Sequence, residues 1–181
     1  MKKITQFIYI AAICLSSSTI YSQKSNIESS GDILSILIPA ASFATTLVYH
    51  DDNYKGVYQF AKALGVAMVT TYSLKYIINK ERPNGGNLAF PSGHTMSSFV
   101  GAAFFERRYG WKVGIPAYVL ASYVGWSRIY AKKHDHWDVL GGVIVGTVSA
   151  YLFTTPYLNK NTDISISKTD KGFNLSITHN F

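Results

Sequence analysis

The chain has 181 residues, carries a formal net charge of +7 and contains a single cysteine, Cys14. This length suits one domain, and one cysteine excludes an internal disulfide or a site of several thiolates. The positive charge does not require a nucleic-acid partner, because part of it comes from Lys75, Arg82 and Arg128, which we assign to one small anion site.

The first residues follow the three-part pattern of a secretory signal. Lys2 and Lys3 precede the apolar stretch Phe7–Leu15, and a serine-rich segment comes next. We predict a signal peptide over residues 1–22, with the alternative that an uncleaved leader forms a first membrane span. Cleavage would remove Cys14, leaving a chain with no cysteine, and would lower the formal charge of +7 by two.

Five apolar segments follow before Pro156, separated by turn residues. Gly31-Asp32 is read as punctuation before the first helix, and Tyr109-Gly110 as a tight turn between two later helices. We predict one all-α domain over residues 23–156, an up-and-down bundle of about five core helices. The segments are Ile33–Tyr49, Val57–Ile78, Thr95–Phe105, Val113–Trp126 and Val139–Phe153.

Residues 157–181 have a different pattern. Apolar and polar side chains alternate over Ile164–Lys168 and again over Phe173–Ile177, on either side of Asp170-Lys171-Gly172. This alternation predicts a short β-hairpin. An isolated hairpin is only marginally stable in water, and we assign the tail no function.

Three clusters of polar residues lie at the predicted helix ends. In an up-and-down bundle the second helix ends where the third begins, and the fourth returns to the same end. We therefore predict that the clusters meet at one end of the bundle. They are Lys75 with Arg82-Pro83, then Pro91-Ser92-Gly93-His94, then Ser127-Arg128 with His134 and Asp138.

The cations of these clusters suit a phosphate ligand. A transferring phosphoryl group carries charge on its non-bridging oxygens, which preorganised positive donors stabilise. Arg82 and Arg128 can each present a planar fork, and Lys75 acts as a point charge. Backbone N–H groups at the start of the third helix can also hold an anion. The predicted phosphate-binding residues are Lys75, Arg82, Ser92, Gly93, Ser127 and Arg128.

The histidines of the clusters suit acid, base and nucleophilic roles. His134 and Asp138 are four residues apart, which on a helix places both on one face. A carboxylate fixes the tautomer of its histidine and leaves the other ring nitrogen free to attack. We predict His134 as nucleophile, Asp138 as its orienting group, and His94 as the acid and then the base. The remaining histidines, predicted to take no part, are His50, His136 and His179.

Each of these residues also has an ordinary structural explanation. Lys75 can extend from an apolar run toward a polar boundary, and Arg82-Pro83 can stop a helix. Ser92-Gly93 can cap the following helix, and the Ser127 hydroxyl can bond to backbone. The joint occurrence of all these groups at fixed spacing favours a site over four separate coincidences.

The clusters resemble, position for position, the signature of the type 2 phosphatidic acid phosphatase superfamily, which includes bacterial class A acid phosphatases and vanadium haloperoxidases. Six residues separate Lys75 from Arg82, five separate Arg128 from His134, and three separate His134 from Asp138. The resemblance covers roughly residues 60–153. It implies the same roles for the matching positions, a phosphohistidine intermediate, and no metal or other cofactor.

The resemblance implies a phosphatase of the cell envelope that hydrolyses a phosphomonoester or a terminal phosphoanhydride. Membrane placement favours a lipid substrate: phosphatidate, a polyprenyl diphosphate or a lipid A-like glycolipid. A soluble bundle favours small phosphomonoesters, as in the class A acid phosphatases. A phosphotransferase and a vanadium-dependent haloperoxidase are the rival activities. Neither a nucleic acid nor a protein partner is indicated.

Charge placement favours a membrane bundle over a soluble one. Several segments are shorter than the roughly 20 residues that a span needs, and the mean hydropathy of +0.09 is modest. Arg107, Arg108 and Lys112 nevertheless cluster in the turn opposite the predicted site, and Lys55 lies in another turn. With those turns in the cytoplasm, the site faces the periplasm. We predict an inner-membrane protein, with a soluble periplasmic protein as the alternative.

Overall fold

The protein is described by a computed structural model that covers residues 20–49, 52–157, 162–169 and 172–179. For residues 20–25, for Asp52 and for the two C-terminal strands, only the backbone is described. The predicted leader lies outside these residues except for positions 20–22. The predictions for His50 and for the side chain of His179 also lie outside them.

Within the described residues the chain forms five α-helices, and the predicted all-α bundle is confirmed there. Each helix begins and ends close to the limits of one predicted apolar segment. The exception is the first helix, which starts well before its predicted beginning. The helices are α1 Ile20–Val48, α2 Lys55–Ile78, α3 Gly93–Tyr109, α4 Trp111–Tyr130 and α5 His136–Phe153, and a short 3-10 turn, Asp52–Tyr54, precedes α2.

Gly31-Asp32 does not begin the first helix, because both residues lie inside α1. The prediction treated this glycine as a helix breaker, whereas here it permits close packing. A Cβ atom on Gly31 would lie 2.0 Å from the Ser127 Oγ and 2.5 Å from the Arg128 Nη2. Helix α1 therefore rests directly on the end of α4 that carries the third cluster.

Helix α3 lies at the centre of the bundle and contacts all four other helices. Val100 and Phe104 are completely buried, and the Phe104 ring meets Phe60 of α2 edge-on with 5.0 Å between the ring centroids. Helix α5 approaches α3 closely, since a Cβ atom on Gly142 would lie 2.6 Å from the carbonyl oxygen of Ser92. The start of α3 is thus held at a fixed distance from α5.

The end of the bundle away from the three clusters is held by Arg108. This side chain is almost completely buried, and its Nη1 donates to Oε1 of Gln59 at 3.0 Å. The backbone N–H of Tyr157 donates to the Arg108 carbonyl at 2.8 Å, which ties the chain after α5 to the end of α3. Arg107 and Lys112, by contrast, are exposed at this end.

Large apolar side chains cover the outward faces of the helices. Ile36, Val69, Val119 and Leu152 are each more exposed than buried. Two helical segments of the described chain, Asn26–Val48 and His136–Phe153, are long and apolar enough to cross a membrane by length and composition. The exposed apolar faces are ones that a bilayer would cover.

After α5 the described chain contains two strands, β1 Thr162–Thr169 and β2 Gly172–His179. Their backbones pair antiparallel, with Ile164 opposite Ile177.

Candidate active site

Six of the nine predicted site residues line one cavity of about 480 Å³ at one end of the bundle. The cavity lies where α2 ends, α3 begins and α4 runs into the loop before α5. The other three predicted residues, Ser92, Ser127 and Asp138, are completely buried and are not among its lining residues. The six lining residues are Lys75, Arg82, Gly93, His94, Arg128 and His134.

His134 and Asp138 meet, but not because they share a helical face. Helix α5 begins at His136, so His134 lies in the loop before it and Asp135 is the N-cap. The Asp135 side chain accepts from the N–H of Asp138, and the Asp138 Oδ2 accepts from the N–H of Asp135, each at 3.0 Å. This capping box turns the Asp138 carboxylate back over the helix start, 3.4 Å from the His134 Nδ1.

The surroundings of His134 favour a neutral imidazole. The side chain is 4% exposed, and within the described residues its Nδ1 has no hydrogen-bond partner, although it faces Asp138. Burial, and after it the nearby Lys75 ammonium, hold the pKa of His134 below its ordinary value. The ring can therefore act as a nucleophile without first losing a proton, through the Nε2 on the side away from Asp138.

Lys80 is a site residue that the sequence reasoning missed. Its Nζ donates to the Asp138 Oδ1 at 2.8 Å and also bonds to the Asp135 carboxylate. Because Asp138 is completely buried, this ammonium balances a charge that water cannot reach. Lys80 stands in the unspecified spacer of the first cluster, where its only signal was a basic residue beside a predicted helix end.

Lys75 and Arg82 are anchored by the loop between α2 and α3. The Lys75 Nζ donates to the carbonyl of Leu88 at 2.7 Å, and the Arg82 Nε donates to the carbonyl of Asn87 at 3.0 Å. Each anchor uses one donor of its side chain, which leaves the others for an anion in the cavity. Both positive charges are thereby fixed at the cavity wall.

Arg128 is oriented toward α1. Its Nε donates to the Ser127 Oγ at 3.1 Å, its Nη2 to the Glu28 carbonyl at 2.6 Å, and its Nη1 to the Asp32 carboxylate. The Ser127 hydroxyl itself donates to the Val124 carbonyl at 2.7 Å, so it has the structural role considered for it. Phosphate contacts from Arg128 and Ser127 stay predictions.

Ser92 acts as the N-cap of α3. Its Oγ accepts from the Thr95 N–H at 3.4 Å, and its own N–H donates to the Asp138 carbonyl at 2.8 Å. The second cluster is thereby tied to the third through main chain and cap. A phosphate contact of Ser92 also stays a prediction, whereas Gly93 lines the cavity.

His94 lies at the open side of the cavity, and 44% of its side chain is exposed. Its Nε2 lies 3.0 Å from the Asp32 Oδ1 of α1. Asp32 is the second residue that sequence reasoning missed, because Gly31-Asp32 was interpreted as a helix boundary.

A second, apolar cleft of about 420 Å³ adjoins the charged cavity. Both are lined by Ser35, Ile36, Leu64 and Ser97, and the cleft continues between α1 and α2 to Phe43. The charged cavity therefore opens sideways into an apolar space between two helices.

Comparison with known proteins identifies the family. Residues 84–162 match the family model of the PAP2 superfamily. The chain is 30% identical over 146 residues to a lipid A 4'-phosphatase of Helicobacter pylori, covering 74% of this chain and 72% of that protein. It is 33% identical over 133 residues to a lipid A 1-phosphatase of the same species, covering 68% of this chain and 65% of that protein.

The fold agrees with this assignment. The crystal structure of LpxE from Aquifex aeolicus superposes with a TM-score of 0.63 at 20% sequence identity, covering 75% of this chain and 87% of that one. The resemblance read from the three clusters is thus confirmed at the level of the family, and the chain belongs to the PAP2 superfamily.

Proposed function

We propose that this chain is a phosphatase of a bacterial membrane that acts on the phosphate group of a lipid. The proposal rests on the observation that a charged cavity and an apolar cleft adjoin each other. Both histidines and the fixed cations line the charged cavity, which opens into the apolar cleft between α1 and α2. A phosphorylated headgroup suits the first space and a hydrocarbon chain suits the second.

The first candidate substrate is a phosphomonoester of a lipid A-like glycolipid. Both relatives from Helicobacter pylori described above are named as lipid A phosphatases, which supports this class of substrate. A polyprenyl diphosphate and phosphatidate share the same chemistry of an anionic phosphate on an apolar tail.

In the first half-reaction, the His134 Nε2 attacks phosphorus and forms an N–P bond while the bond from phosphorus to the leaving oxygen breaks. Lys75 and Arg82 stabilise the charge on the non-bridging oxygens. His94 gives a proton to the leaving oxygen, so the lipid departs as an alcohol. Asp138 stabilises the positive charge that develops on the His134 ring.

In the second half-reaction, His94 takes a proton from a water molecule, which attacks phosphorus. The N–P bond breaks, and the electron pair returns to the His134 Nε2. Inorganic phosphate leaves, and both histidines return to their starting states. The same pair of groups thus serves both steps, as microscopic reversibility requires for an acid that becomes a base.

This mechanism uses only side chains of the chain itself, and we propose that it needs no metal. In the described part of the chain no group of three His, Cys, Asp or Glu side chains is arranged to hold one. A chelator should leave the rate of phosphate release unchanged. Inhibition that one divalent metal reverses would contradict this part of the proposal.

The exposed apolar faces and the position of the basic residues support a membrane bundle with the cavity toward the periplasm. Arg107 and Lys112 are exposed at the end away from the cavity, whereas Arg108 is buried there and adds little to the outer charge. The 1–22 leader, the single 23–156 domain and the C-terminal hairpin as an independent unit remain proposals.

The decisive experiment is a phosphate-release screen of the purified chain in detergent. It compares a lipid A-type phosphate, undecaprenyl diphosphate, phosphatidate and a soluble sugar phosphate at equal concentration. A preference for any lipid phosphate supports the proposal, and the ranking identifies the class. Preference for the soluble ester would instead support an acid phosphatase.

The rival activities have separate readouts in the same preparation. A phosphotransferase would transfer labelled phosphate to an added alcohol. A vanadium haloperoxidase would oxidise halide with peroxide only after vanadate is added. For the proposed phosphatase, vanadate should act as an inhibitor that occupies the phosphate site.

A further inference from the structure

We propose that Asp32 of α1 is a positioning residue for His94, so that each histidine of the cavity has its own carboxylate. This inference rests on the proposed phosphatase reaction and adds a residue outside its three clusters. Asp32 lies in α1, 62 positions before His94 along the chain.

The contact geometry is the first support. The Asp32 Oδ1 lies 3.0 Å from the Nε2 of His94 and also accepts from the Nη1 of Arg128. Arg128 is completely buried and is held at its other nitrogens by Ser127 and by the Glu28 carbonyl. The carboxylate that faces His94 is therefore fixed by a rigid partner.

The packing of α1 is the second support. Gly31 brings the backbone of α1 against Ser127 and Arg128, with no room for a Cβ atom. This close approach sets Asp32 against Arg128 and His94, two residues that line the cavity. Asp32 is thereby placed by an element whose sequence lies outside the family signature.

The charged groups around His94 indicate what the Asp32 carboxylate does, which is to stabilise the protonated form of that imidazole. The cations that face this imidazole are Arg128 from α4, Lys133 from the loop before α5 and Arg82 from the loop after α2. Asp32 is the carboxylate among the charged groups that face it, since Glu28 of α1 pairs with Lys133 instead. Burial and, after it, three positive neighbours disfavour an imidazolium at His94, whereas the leaving lipid needs the proton of that imidazolium.

The contact also determines which nitrogen can act. With Nε2 directed at Asp32, Nδ1 is the nitrogen left to give a proton to the leaving oxygen and later to take one from water. Asp32 itself neither gains nor loses a proton in this scheme.

The test compares Asp32→Asn with wild type on two substrates. One is the lipid phosphate that the wild type cleaves fastest in the screen, and the other is p-nitrophenyl phosphate, whose leaving group needs no proton. We expect about a tenfold to hundredfold loss of kcat/KM on the lipid and less than about a threefold loss of kcat/KM on the aryl ester, because kcat/KM reports the first half-reaction, in which only the lipid needs the proton. The descending basic limb of the pH–rate profile should move to lower pH, because the acid form of His94 is lost sooner.

A double-mutant comparison separates positioning from a general structural effect. If Asp32 acts through His94, Asp32→Asn should cause no further loss in a His94→Ala background. Glu28→Gln is the matched control, since it removes a carboxylate of α1 that pairs with Lys133 and does not face His94. This control should leave the ratio of the two substrate rates unchanged.

Three results would overturn the inference: equal losses on both substrates, an additive loss in the His94→Ala background, or a gain in affinity for phosphate. The last result would mean that Asp32 competes with the substrate for Arg128. Asp32→Ala replaces Asp32→Asn if the amide variant does not fold, with the same expectations. A wild type inactive on every lipid phosphate would instead refute the proposed function.

Discussion

The two histidines of the cavity differ in how the chain supplies them with carboxylates. His134 is buried and faces Asp138, which follows it four residues later. His94 is partly exposed and faces Asp32, which comes from another helix far away in the sequence. The first pair depends on a local capping box, and the second on the packing of α1 against α4. A local pair can be read from a motif, whereas a pair made by packing cannot.

The largest effect should come from the buried member of this comparison. His134→Ala removes the proposed nucleophile, and phosphate release should fall by at least about 10⁴-fold while the bundle stays folded. His136→Ala is the matched control: its exposed side chain begins α5, and its rate should change by no more than about twofold. Quenching a reaction of phosphorus-labelled substrate with alkaline detergent, in which an N–P bond survives, should trap a phosphoenzyme in wild type and in His136→Ala but not in His134→Ala. A labelled His134→Ala protein would refute the assignment.

Replacing the carboxylate that faces the buried His134 should lower activity more than replacing the carboxylate that faces the partly exposed His94. Asp138→Asn should lower kcat/KM by about 10³-fold on every substrate, because the nucleophile then loses its compensating charge. Asp32→Asn should have a smaller effect, which depends on the leaving group. The measurement is kcat/KM, which reports the first half-reaction, for the lipid and the aryl ester in both variants. A similar loss in both variants on both esters would remove the distinction between the two pairs.

Much of the fold and part of the site could be predicted from the sequence. The cluster spacings indicated which residues meet, because signature positions reflect local geometry around the helix ends. Asp32 and Lys80 carry no such spacing. The position of Asp32 depends on Gly31, which was interpreted as a helix boundary but allows close packing of α1. Lys80 lies in the spacer between Lys75 and Arg82, where the signature specifies no residue. The argument that His134 and Asp138 share a helical face failed, because α5 begins at His136, two residues after His134, with Asp135 as its N-cap.

A glycine substitution tests the packing that the second pair depends on. In Gly31→Ala the new methyl group meets Ser127 and Arg128, so α1 must move away and carry Asp32 from His94. We expect a loss of about 1–3 kcal/mol in the free energy of unfolding and about a tenfold fall in activity on the lipid. Gly65→Ala is the control, because a Cβ atom there meets nothing within 4 Å. Thermal unfolding in detergent that does not distinguish the two variants would contradict close packing at Gly31.

The smallest predicted effect concerns the pH dependence of the reaction, which depends on the pKa of His134 in the pair of His134 and Asp138. Burial and the Lys75 ammonium hold the pKa of His134 below its usual value of about 6.5, so its neutral form persists below that pH. The acidic limb of kcat/KM should therefore lie below about pH 6.5, and Lys75→Met should move it upward even as the loss of a phosphate contact raises KM.

The lowered pKa of His134 also determines whether its contribution to folding stability rises or falls with pH. The unfolded histidine takes up a proton near its ordinary pKa and the folded one only at lower pH. The contribution of His134 to stability is therefore complete above about pH 6.5, and it declines as the pH falls toward the lowered value. Unfolding of wild type and His134→Ala across this range measures the difference directly. A stabilising contribution of His134 that is present below about pH 6.5 and declines as the pH rises above it would mean that the imidazole is held charged, and the proposed nucleophile would then need a base.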